Sequence, residues 1–242
     1  MLLNMPFYVP LQYKEWTGVI QVHNAFALDA LPCILKQNFF EQDLLIDVEQ
    51  RIGNKKNIID IGACIGNHSL FFAGPLKSAH VFCIEPLPIL INMMSGTFLH
   101  NQLQNISIIP VAAGNKTTNC KISNYNPQNP SSIICQEDVN GNIKMDKIDN
   151  LIKDSIHIDC IKIDASEATF IALEGCEKII DRCKPTIYIN KQKNYIINGQ
   201  IINFLSRKLY LEVNRFGIKD VNEQVCFIPI EELDNDKENR KD

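Results

Sequence analysis

Short β-branched apolar runs alternate with segments of helical periodicity along most of this chain, and that alternation leaves few folds open. The runs lie at 57–61, 79–85, 106–113, 158–163 and 185–190. Helices are predicted at 67–74, 88–103, 147–153, 167–181 and 195–207, and an earlier amphipathic segment, 39–52, reads as a helix that Gly53 ends. Strands alternating with helices build βαβ units, and so a mostly parallel sheet covered on both faces. Two further runs, 208–214 and 224–229, predict an antiparallel hairpin at the sheet edge. The expected fold class is therefore α/β, with a Rossmann-like sheet. Such sheets bind ligands beyond the carboxyl ends of the strands, where the strand order reverses.

A chain of 242 residues with 45% hydrophobic content suits one such domain better than two small ones. Residues 1–38 read as an N-terminal extension on or beside the core, 39–230 as the α/β domain, and 231–242 ("EELDNDKENRKD") as a charged, flexible tail. Within the domain, 117–146 breaks the rhythm: short β-rich pieces surround "NYNPQNPSS", as in a hairpin insertion or a mobile loop. A formal charge of −4 provides no basic field, so no nucleic-acid partner is expected. No apolar run approaches the roughly 20 residues that span a bilayer, and the N-terminus lacks a basic signal-peptide region. A cytoplasmic location is expected, and no oligomeric state can be read. Nine scattered cysteines, odd in number and never spaced C-x-x-C, read as free thiols rather than a disulfide or zinc framework.

The stretch "NIIDIGACIGNHSLFFAG" stops a buried strand on Asp60, turns through Gly62 and Gly66, and starts a helix. Glycine at such a turn permits a close approach that a Cβ would block. The pattern is one glycine short of the G-x-G-x-x-G that holds a dinucleotide pyrophosphate, and Asp60 would oppose that charge. A carboxylate there suits a cation. The next strand ends on Glu85, placed to accept hydrogen bonds from ribose hydroxyls, and Pro86 ends the ladder. The alternative, that Asp60 and Glu85 are solvated carboxylates capping helix N-termini, is the weaker reading, because both sit at strand ends where sites are expected.

These residues resemble a family. "IIDIGACIGNHSLFFA", "VFCIEPLP", Asn101 followed by Ile108–Gly114, "MDKIDNL" and "IDCIKIDASEATFIALEGC" are similar in order and spacing to the FkbM-like methyltransferases, over about residues 39–190. Cys64 stands where the family usually has asparagine. The resemblance implies a class I, S-adenosylmethionine-dependent methyltransferase acting on a hydroxyl of a small-molecule or glycan acceptor. It implies that Asp60, Gly62, Ala63 and Gly66 lie under the methionine part, with Asn67 and His68 opening the helix beside it. Glu85 and Pro86 would face the ribose, Asn101 would close the site, and Ala112 and Ala113 would line the adenine edge. Asn67 could as readily be a helix N-cap.

The segment after the fourth strand departs from the family. "KIDASEAT" keeps Lys162 and Asp164, but Ser166 and Thr169 replace two usual glutamates, and Glu167 stands where glycine belongs. Asn190 replaces a third glutamate. Because a hydroxyl acceptor must lose a proton, Asp164 is the expected base, with Glu167 and His68 as the other catalytic candidates. Asp164 and Ser166 could alternatively cap the following helix. A divalent cation would need several oxygen ligands, and Asp164 alone is a thin site, so no metal site is expected. The "NYNPQNPSS" loop is expected over the acceptor side. A degenerate member that binds cofactor or a partner without turnover, and a nicotinamide enzyme on the same fold, are the alternative readings.

Overall fold

The structure is a computed structural model, and it describes residues 6–23, 26, 28–126, 128–129, 133–191, 194–217 and 223–233. The chain opens with a hairpin of β1 (Pro6–Tyr13) and β2 (Trp16–His23), one helical turn α1 (Leu31–Ile34), and α2 (Gln42–Ile52). Next come β3 (Asn57–Ile61), α3 (Asn67–Ala73), β4 (His80–Ile84), α4 (Pro88–His100) and β5 (Ile106–Ile109). A small sheet follows, made of β6 (Ala112–Ala113), β7 (Thr118–Ser123), β8 (Ile134–Glu137) and β9 (Ile143–Asp146), then α5 (Ile148–Leu151). The main sheet resumes with β10 (Cys160–Ile163), α6 (Thr169–Glu174), α7 (Glu177–Cys183), β11 (Thr186–Asn190), α8 (Tyr195–Arg207), β12 (Tyr210–Phe216) and β13 (Gln224–Pro229).

The main sheet has the order β12-β13-β11-β10-β3-β4-β5. Its first five strands in the chain pair in parallel, whereas β13 runs antiparallel to β11 and β12 antiparallel to β13. The chain steps from β3 to β4 and β5 on one side, then crosses back to β10 on the other. The reversal lies between the carboxyl ends of β3 and β10, where a crevice is expected. Burial on both faces explains the unbroken apolar strands. Successive residues point to opposite faces, so Ile58 and Cys160 join one core with α2, α3 and the hairpin, while Ile59 and Ile161 join another with α6, α7 and α8. The architecture is mixed α/β: a central, mostly parallel sheet with an antiparallel edge and helices packed on both faces.

Two expected elements are divided and a third is shortened. The run 106–113 becomes two strands because Pro110 cannot donate to a ladder; β5 stays in the main sheet and β6 pairs β9 in the small one. The helix expected over 167–181 is a 3-10 turn at Ser166–Ala168 followed by α6 and α7. It breaks at Gly175, where a Cβ would lie 2.1 Å from the Gly114 carbonyl oxygen. Asp149 caps the second piece, accepting from the Lys178 and Ile179 N–H groups at 2.9 and 3.0 Å. The helix expected from 39 begins only at Gln42, because Glu41 is left-handed (φ 56°, ψ 48°).

The N-terminal hairpin lies against α4. Gln21 N–H donates to Thr97 Oγ1 at 2.9 Å, and Leu11, Ile20 and Val22 enter the first core. The tail expected at 231–242 and the "NYNPQNPSS" loop fall partly outside the described residues. All nine cysteines are free thiols, six of them buried. Among the described residues no helix is long and apolar enough to cross a membrane.

Candidate active site

The turn after β3 is shaped by what it must pass. Gly62 (φ 77°) lies against the tip of β10, and a Cβ there would sit 1.9 Å from the Asp164 carbonyl oxygen. Gly66 (φ 82°) packs under α4, where a Cβ would meet Met94 Cγ at 2.8 Å and Phe98 Cζ at 3.0 Å. Both glycines thus allow the strand exits and the helices to close together. The Gly62 and Ala63 N–H groups donate to the Ile84 carbonyl at 3.0 and 3.2 Å, knitting the turn to β4.

Glu85 leaves the end of β4 and turns back over this loop. It is buried, and its carboxylate accepts from the Cys64 N–H at 3.1 Å and the Leu87 N–H at 2.9 Å. Burial pushes the Glu85 carboxyl up to about 7, with Asp60 adding to the effect and the two N–H groups opposing it. A carboxylate has about four lone-pair sites, so two remain for a ligand.

Across β3 the charges are denser. Asp60 is fully buried and accepts from Ser69 Oγ at 2.6 Å, and its other oxygen lies 3.4 Å from Lys162 Nζ. Burial would lower the pKa of Lys162, but Asp60, Asp164 and Glu41 overcome it and hold the ammonium above its usual value. The cation that Asp60 holds is thus Lys162. Asp164 stands just beyond β10 and accepts from Asn190 Nδ2 at 2.9 Å. No side chain caps the 3-10 turn or α6; Thr169 Oγ1 instead donates to the Ser166 carbonyl at 2.7 Å.

A cavity of about 790 Å³ opens at the carboxyl ends of the strands, within the size range of small-molecule sites. Of the expected site residues, Gly62, Ala63, Asn67, His68, Glu85, Pro86, Ala112, Ala113, Asp164 and Glu167 line it. Asp60 and Gly66 lie behind the lining. Asn101 does not reach the cavity. It ends α4, where its side chain accepts from the Val19 N–H at 2.9 Å and donates to the Val19 carbonyl, so it fastens the hairpin. From the insertion, Ser123, Asn129, Cys135 and Gln136 cover the cavity. No group of three or more His, Cys, Asp or Glu side chains among the described residues is arranged to hold a metal ion.

Asn67 is neither an N-cap nor a free ligand. Gly66 is the cap residue, and the Asn67 amide pairs both ways with the backbone of Phe40, at 3.2 and 3.4 Å. That contact brings in Glu41, a lining residue that sequence reasoning missed. Glu41 lay inside an expected helix, and only its left-handed backbone turns it into the cavity. Its Oε2 lies 3.1 Å from His68 Nε2, out of line for a hydrogen bond. Burial would raise the Glu41 carboxyl, but His68, Lys162 and Gln224 hold it below its usual value.

Comparison with known proteins agrees with this arrangement. No curated protein matches the chain. Among solved structures it is similar to methyltransferase FkbM from Methylobacillus flagellatus KT, with a TM-score of 0.53 and 19% identity over 73% of this chain and 44% of that one. The chain thus spans less than half the length of that protein. It is also similar to an rRNA methylase from Streptococcus thermophilus (TM-score 0.53, 11% identity, 79% and 97% covered). A putative methyltransferase from Streptococcus mutans, in complex with SAH, aligns with a TM-score of 0.51 and 11% identity over 78% and 97% of the two chains. At these identities the likeness shows the fold alone. The family model described as the methyltransferase FkbM domain matches residues 60–212, from the buried aspartate of β3 into edge strand β12. That match covers more than half of the chain and contains both strand tips that build the cavity, so the chain belongs to the FkbM methyltransferase family.

Proposed function

We propose that this protein is an S-adenosylmethionine-dependent methyltransferase that methylates a hydroxyl of a sugar or glycan. One observation carries the reading: Glu85 and Asp164 stand on either side of the glycine turn and line one cavity at the reversal of the sheet. Glu85 keeps two acceptor sites for ribose hydroxyls, with Pro86, Ala112 and Ala113 beside it for the rest of the nucleoside. On the other side, Lys162 is outnumbered by Asp60, Asp164 and Glu41. A wall of net negative charge suits a sulfonium and an ammonium and repels the pyrophosphate of a dinucleotide.

S-adenosylmethionine supplies a methyl group on positively charged sulfur, an electrophile that needs alignment more than activation. With that group bound, the Asp164 carboxylate would take the hydroxyl proton as the acceptor oxygen takes the methyl group, which would leave a neutral thioether on the cofactor. Asn190 orients that carboxylate through its 2.9 Å hydrogen bond. Ser166 and Thr169 are not bases at neutral pH, and the Thr169 hydroxyl is committed to the backbone.

Calorimetry with S-adenosylmethionine and with NAD, followed by S-adenosylhomocysteine release on a panel of sugars, tests the reading. S-adenosylmethionine is expected to bind and NAD not to. No heat and no thermal shift at millimolar S-adenosylmethionine would overturn it. Binding without turnover on any hydroxyl acceptor would favour an inert binder.

A further inference from the structure

We propose that Glu41 and His68 form the acceptor-holding edge of this site and restrict it to uncharged or aminated sugars, excluding phosphorylated and carboxylated ones. The inference rests on the methyltransferase reading and specifies its acceptor.

The position of Glu41 is built rather than incidental. It precedes α2 with a left-handed backbone and makes no capping bond to that helix, although an acidic residue there would ordinarily do so. The paired bonds between the Asn67 amide and the Phe40 backbone hold the preceding residue against α3. Gln224 Nε2, from β13, lies 3.3 and 3.4 Å from the two Glu41 oxygens. Because β13 stands beyond β10 and β11 in the sheet, Glu41 lies on the opposite side of β3 from Glu85. That is the side on which an acceptor would meet Asp164.

The pair has unused bonding capacity. His68 is 8% exposed and lines the cavity, and its Nε2 lies 3.1 Å from Glu41 Oε2 in an ion-pair contact that is not aligned as a hydrogen bond. Gln224, fully buried behind Glu41, has an orphaned Oε1. A polar atom buried without a partner is costly, and a ligand hydroxyl would complete it. A hydroxyl can donate to the Glu41 carboxylate and accept from or donate to the imidazole, and adjacent hydroxyls on a sugar ring could use both.

Charge sets the class of acceptor. Asp29, Glu41, Asp164 and Glu167 all line the cavity, whereas Lys162 is the one lysine or arginine to do so among the described residues. An anionic acceptor would be placed among like charges in a poorly solvated site, and like-charge juxtaposition discriminates strongly between partners. Hydroxyl and ammonium groups meet no such barrier.

The test uses the full chain, alone and with S-adenosylhomocysteine. Saturation-transfer NMR would measure binding of methyl α-glucoside, glucosamine, glucuronate and glucose 6-phosphate, alongside turnover with S-adenosylmethionine. Methyl α-glucoside or glucosamine should bind at least about tenfold more tightly than glucuronate and glucose 6-phosphate. Glu41→Gln should weaken methyl α-glucoside by about tenfold and narrow the gap to the anionic sugars. Its affinity for S-adenosylmethionine by calorimetry should fall by less than its affinity for methyl α-glucoside, because Asp60 and Asp164 remain around Lys162. His68→Gln, with its melting temperature checked first, should reproduce the acceptor defect. Equal or tighter binding of the anionic sugars, no binding of any neutral or aminated sugar, or unchanged selectivity in Glu41→Gln would overturn the proposal. If S-adenosylmethionine still binds in those cases, the cofactor reading stands. A failure of S-adenosylmethionine to bind would instead remove that reading.

Discussion

Glu85 makes the cofactor reading quantitative. Its carboxylate is buried and bonded to two backbone N–H groups, and its pKa is pushed up to about 7. A rise from the ordinary glutamate value of 4.5 to about 7 corresponds to roughly 3 kcal/mol against the ionised form. The folded protein therefore holds more protons than the unfolded chain between those two values, so this group's contribution to stability falls as pH rises across that window. Ribose hydroxyls bind the ionised form, so a bound nucleoside should pull the proton off. Cofactor affinity should then be about tenfold weaker at pH 6 than at pH 8, with close to one proton released per molecule bound at pH 6. Glu85→Gln should lose about 1.5–3 kcal/mol of charge-assisted hydrogen bonding, or about 10- to 150-fold in affinity at pH 8. The variant should also lose the pH slope. Calorimetry at pH 6, 7 and 8, in buffers of different ionisation enthalpy, reads affinity and proton release together. The same slope in the variant, or binding to wild type without proton release at pH 6, would refute the argument.

Gly62→Ala combines a left-handed backbone with a Cβ 1.9 Å from the Asp164 carbonyl. At about 1–2 kcal/mol for the backbone and 1–3 for the overlap it should lower the melting temperature by roughly 4–20 °C. A shift below about 2 °C in a thermal melt would show that the strand tips yield freely. Lys162→Met leaves the fully buried Asp60 with Ser69 as its one hydrogen-bond partner among the described residues. It should cost about 3–5 kcal/mol in urea denaturation, part of which the double variant with Asp60→Asn should recover. Asp164→Asn should keep cofactor affinity within a few-fold while lowering methyl transfer by about 10²- to 10⁴-fold in single-turnover assays; equal turnover would move the base to Glu167 or His68.

Periodicity alone determined the parallel sheet. Ile58–Ile59 and Cys160–Ile161 are apolar without a break because each strand is buried on both faces, and that is a local compositional signal. Glu85 was legible for the same reason, since a carboxylate at the end of an apolar strand of such a sheet has one place to go. The divisions at Pro110 and Gly175 were harder to read, because each depends on a neighbour far along the chain. Gly175 is required by the Gly114 carbonyl, and β6 by the distant strand β9.

What tertiary structure decided is who meets whom at the cavity. Asn101 looked like a site residue, but Val19, 82 positions away, engages its amide. Asp60 looked like a ligand's counter-ion, but Lys162 takes that role 102 positions on. Glu41 looked like one polar position of an amphipathic helix. It entered the site because Asn67 fastens Phe40 and its own backbone turns left-handed, and no local pattern encodes either event. Local sequence sets strand, helix and strand-end chemistry through short-range sterics and burial period. Contacts between residues far apart in the chain depend on how whole elements pack, and there the nearest charged or polar partner in space takes the bond.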